Sequence, residues 1–81
     1  MKILEDVRHQ LSLELPRCKS HSDIETLFIE ANQALARSQA PIGQRRRMWE
    51  DIRNNLSNLI QRPHIVSDAR SAVDRIMKEI T

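Results

Sequence analysis

Residues 22–38 read SDIETLFIEANQALARS, and this stretch decides the fold class. Ser22 opens it and Glu25 stands three residues on. That is the pattern of a capping box, in which each side chain satisfies a backbone N–H left free at a helix start. Ile24, Leu27, Phe28, Ala31, Ala34 and Leu35 then recur at spacings of one, three and four, the signature of one apolar helix face. A helix over residues 22–38 follows.

Working outward, the same period appears on both sides. Leu4, Val7, Leu11 and Leu15 mark a helix over residues 2–15. It ends before Pro16, because the residue preceding a proline is biased away from the helical region. The segment PRCKSHS reads as a connecting loop. Towards the C-terminus, SQAPIG interrupts the pattern, and a third helix is expected over 42–62. Proline suits a first helical turn and glycine is an acceptable cap. Ile42, Trp49, Ile52, Leu56, Leu59 and Ile60 give its apolar face, and Pro63 is read as its stop. Ser67 and Asp68 suit the start of a fourth helix over 67–80, lined by Ala69, Ala72, Val73, Ile76, Met77 and Ile80. With one glycine and no alternating apolar run, the chain is all-α. Residues 1–81 are expected to form a single domain, a compact antiparallel bundle of about four amphipathic helices.

The composition holds one Trp, one Phe and no Tyr, so Leu, Ile, Val and Ala must fill the core. A core of this size leaves a small net stability, which self-association or a bound partner would supplement. A monomer and a homodimer both fit. The single cysteine, Cys18, cannot close a disulfide within the chain, which favours the cytoplasm. The opening residues MKILEDVRHQL are broken by Glu5, Asp6 and Arg8, unlike a signal peptide, and no apolar run approaches the ~20 residues that span a bilayer.

Charge is unevenly placed. Residues 1–35 carry four Lys/Arg against six acids, whereas residues 36–62 carry six Arg against Glu50 and Asp51 alone. Such asymmetry points to an acidic or phosphate-bearing partner. Arg45, Arg46 and Arg47 stand consecutively at the expected start of the third helix, the positive end of its dipole, where each is disfavoured by roughly 0.3–1 kcal/mol. In the frame of Trp49 and Ile52, Arg45 falls at the edge of the core stripe. Arg46 precedes Glu50 by four residues and Arg47 precedes Asp51 by four, so both can pair within the helix. If they do, the run is a solvated face. If they do not, Arg45, Arg46, Arg47 and Arg53, with Arg37, form an anion-binding surface beside free helix N–H groups. We take the second as the basis of a functional expectation, because a broken local rule marks a place to look for function.

Other chemistry is thin. Cys18 and His21 have half the spacing of a zinc site, and no second pair completes it, so no metal or cofactor is expected. Glu5 and His9 read as a helix-surface pair. No phosphate-binding loop, nucleophile elbow or zinc-protease motif occurs, and no enzymatic activity is expected. Trp49 lies on the core stripe, which argues against base stacking, and Asn54, Asn55 and Asn58 are placed on a solvent face. The expectation is a small binding protein: an adaptor, regulator or inhibitor that meets an acidic protein surface through those arginines. Sequence-independent nucleic-acid binding through the same residues is the alternative, and a purely structural dimerising bundle is a third.

Overall fold

The computed structural model describes residues 2–80. It contains five helices and, among the described residues, no strand: α1 (Lys2–Glu14), α2 (His21–Arg37), α3 (Ile42–Asn54), the single turn α4 (Leu56–Leu59) and α5 (Pro63–Ile80). A 3-10 turn, Leu15–Arg17, follows α1 and carries Leu15 fully into the core.

The bundle matches the expected class, with instructive differences at the helix ends. The cap of α2 lies two residues earlier than Ser22. Ser20 is extended, and its hydroxyl accepts from the Asp23 N–H at 3.3 Å, while the Asp23 carboxylate accepts from the Lys19 N–H at 3.1 Å. The same serine-to-acid spacing occurs twice in SHSDIE, and the shorter aspartate closes the box. Glu25 is thereby freed to reach Arg75 on α5 at 2.7 Å and His21 at 3.0 Å. The Arg75 hydrogen bond, with smaller help from His21, outweighs the opposing effect of burial and holds the Glu25 carboxyl below its ordinary 4.5. Ser20→Ala is therefore expected to cost about 0.5–2 kcal/mol in urea denaturation, and Ser22→Ala close to nothing. The reverse order would return the cap to Ser22.

At its other end α2 closes in a Schellman motif. Gln39 is left-handed (φ 57°), its N–H donates to the Ala36 carbonyl, and the Ala40 N–H donates to the Leu35 carbonyl. Ala40 and Leu35 are both buried, which supplies the apolar contact of that motif.

The expected third helix is broken at Asn55. The Asn55 side-chain amide donates to the Asp51 carbonyl at 2.8 Å, and its backbone N–H is shared between the Asp51 and Ile52 carbonyls. Asparagine competes for backbone partners in this way, which makes it a poor interior helix residue. Asn54, Asn55 and Asn58 are all exposed, as their placement on a solvent face predicts. Pro63 does not merely stop a helix; it starts the next. Its fixed φ suits a first helical position, and the Ile65 and Val66 N–H groups both donate to the Arg62 carbonyl. Burial of Ile65 draws this extra turn onto the core, so α5 begins four residues before Ser67.

Successive long helices reverse direction, forming two hairpins, α1–α2 and α3–α5. The link from α2 to α3 crosses the bundle diagonal, so α1 packs beside both α2 and α3, and α5 beside both α2 and α3. Neighbours from different hairpins run in the same sense: His21 and Glu25 of α2 face Asp68 and Arg75 of α5 in the same order. The diagonal itself is spanned by the Phe28 and Trp49 rings, edge to face with centroids 5.2 Å apart. Every core residue is apolar, and Trp49, Phe28, Leu11, Leu56 and Ile65 are among those fully enclosed.

Candidate anion-binding surface

The start of α3 has no side-chain cap. Pro41 occupies the cap position, its carbonyl accepts from the Arg45 N–H at 2.9 Å, and no acid stands in the first turn. Gly43 beside it is exposed, and a Cβ placed there would meet nothing within 4 Å. The free N–H groups of this turn are thus open to an approaching anion.

The three consecutive arginines separate, since neighbours on a helix are about 100° apart. Arg45 turns towards the core, as the Trp49 frame predicts. It is half-buried, and its Nε is enclosed without a hydrogen-bond partner. Arg46 is exposed and lies 3.6 Å from Glu50, the within-helix pairing expected of it. Arg47 behaves differently. Asp51 does not pair with it, because Arg8 of α1 takes that carboxylate at 2.6 Å. The local i, i+4 partner is lost to a tertiary one, and Arg47 is left exposed on the rim of a hollow between α1 and α3 that Gln44, Met48, Glu5 and the Arg8–Asp51 pair also line.

Of the remaining two candidates, Arg53 lies apart from this group and Arg37 lies at its edge. Arg53 is directed into the α3–α5 seam, where its Nε donates to Asp74 at 2.8 Å. Arg37 is exposed in the last turn of α2, where a cation already complements the helix dipole. The Arg37 turn lies at the same end of the bundle as the start of α3, across a link of four residues. The structure therefore places Arg37, Arg46 and Arg47 at the surface of one end, Arg45 partly inside it, and Arg53 elsewhere.

Cys18 is buried, and its thiol donates to the Glu14 carbonyl at 3.5 Å. Burial first, then the Asp23 and Glu14 charges, push the thiol above its ordinary 9.0 and keep it protonated. His21 instead faces Glu25 and, at 3.9 Å, Asp68. Among the described residues no group of three His, Cys, Asp or Glu side chains is placed to hold a metal ion. No helix is long and apolar enough to cross a membrane. Trp49 is fully buried and offers no ring to a nucleobase.

One basic feature escapes sequence reading. Arg17, Lys19 and Arg62 come together around a hollow at the far end of the bundle. They lie in two connecting segments more than 40 residues apart in the chain, so neither a charge run nor a helical period announces them.

Comparison with protein-family models, with curated proteins and with solved structures finds no match to this chain.

Proposed function

We propose that this chain is a small non-enzymatic binding protein, an adaptor, regulator or inhibitor, that docks on an acidic surface of a larger partner through the basic end at the start of α3. The observation that carries this reading is Arg47, exposed and deprived of Asp51 by Arg8, beside an uncapped helix start. Arg46 and Arg37 extend the positive surface, while Arg45 anchors it to the core and Arg53 belongs to the α3–α5 seam. A cytoplasmic setting accords with a single cysteine that can close no disulfide within the chain. Nucleic acid is the weaker partner, since the one tryptophan is enclosed. A dimerising bundle is weaker still: the exposed large apolar side chains Leu13, Ile29 and Ile42 stand on three different helices.

The test is the double charge reversal Arg46→Glu and Arg47→Glu. Like charges brought across an interface cost several kcal/mol, so the variant is expected to lose a protein that the wild type retains from its native lysate, with helicity unchanged by circular dichroism. Retention lost on nuclease treatment would transfer the surface to nucleic acid. Capture that survives the reversal would remove the arginines from the contact.

A further inference from the structure

The hollow at the far end lies between the 3-10 turn after α1 and the segment joining α4 to α5, and has a volume of about 440 Å³. That is within the roughly 300–1,000 Å³ range of small-ligand sites. Its polar lining is Arg17, Lys19, Arg62, Asn58 and Gln61, over a floor that includes Cys18. No carboxylate lines it, although the chain has 11 acids. Glu14 and Asp23 border the adjoining hollow on the other side of Arg17 and Cys18, and the Asp23 carboxylate accepts the Lys19 backbone N–H. Among the described ion pairs none engages Arg17, Lys19 or Arg62.

Three exposed cations around one concavity give it a positive potential that favours an anion. Three cationic heads and two side-chain amides offer more donors than the two oxygens of a carboxylate can use. A phosphate group presents three terminal oxygens and close to two negative charges, and arginine binds it by paired hydrogen bonds. No aromatic ring lines the hollow, so a base would find no stacking surface.

We propose that this hollow binds a phosphate group, carried by a small phosphomonoester or diphosphate or by a phosphorylated side chain. The site is separate from the start of α3: α1 and α3 run in the same sense, so the turn that follows α1 lies at the opposite end of the bundle.

Titration of the full chain, followed residue by residue in amide NMR spectra, tests it. The probes are inorganic phosphate, pyrophosphate, and a phosphoserine peptide with its unphosphorylated twin. Expected are saturable shifts at Arg17, Lys19, Asn58, Gln61 and Arg62, and roughly tenfold or greater weakening in Arg17→Gln/Arg62→Gln. Arg46→Glu/Arg47→Glu is expected to bind like wild type, which separates this site from the docking surface. Tighter pyrophosphate assigns a small ligand; a peptide preferred only when phosphorylated assigns a modified partner. Shifts that do not saturate, that centre on α3, or that persist in the double Gln variant overturn the proposal. Should that variant lose its dispersed spectrum, Arg62→Gln alone serves, and undiminished binding by it overturns the proposal equally.

Discussion

Trp49→Ala is expected to cost about 3–5 kcal/mol. An 81-residue domain has a total stability of roughly 4–12 kcal/mol, so this one change removes a quarter of it or more. The reason is position as much as size. Trp49 is fully enclosed and meets Phe28 edge to face, spanning the bundle between helices that otherwise touch little. Removing the indole opens a void beside Phe28 inside the core. Trp49→Phe keeps a ring against Phe28 and removes an indole N–H that is buried without a partner. It is expected to cost less than half as much. Urea denaturation followed by far-UV circular dichroism measures both, since fluorescence is lost with the tryptophan. A Trp49→Ala loss under about 1 kcal/mol would mean that the diagonal contact does not organise the core.

Leu56→Ala is expected to cost about 2–5 kcal/mol, for a different reason. The four-residue turn α4 has one fully buried side chain, and it is Leu56. So short a helix has negligible stability of its own. Leu56, with Ile60 just beyond the turn, therefore holds the chain between Asn55 and Pro63 against the core. Its loss is expected to raise hydrogen exchange at Leu59 and Ile60, whose N–H groups donate to Asn55 and Leu56 carbonyls, before exchange rises in α2. Uniform acceleration along the whole chain would instead show that α4 opens only with global unfolding.

What could be read from the sequence was what depends on near neighbours. The stripe from Ile24 to Leu35 lies within one helix, and its burial follows from its period. Trp49 and the inward placement of Arg45 follow from the same arithmetic. Legibility failed where a residue has two local uses or where a distant one intervenes. Pro63 suits a helix stop and a helix start equally, and only the burial of Ile65 decides. Ser20 and Ser22 offer equivalent caps, and Arg75, 50 residues from Glu25, draws the glutamate away from one of them. Asp51 stands four residues from Arg47 and 43 from Arg8, yet pairs with Arg8. The phosphate hollow is the extreme case: its cations become neighbours only when the chain has turned back three times.

The diagonal link has a consequence for how ionic strength acts on this molecule. Arg8–Asp51 and Arg75–Glu25 each join the first hairpin to the second, whereas Arg53–Asp74 lies within the second. Dissolved salt screens such exposed pairs and leaves apolar contacts largely intact. Added salt therefore bears on the docking of the two halves more than on either half, and the apolar contacts between them, α2 against α5 and the Phe28–Trp49 pair included, keep them joined when the electrostatic fasteners are screened.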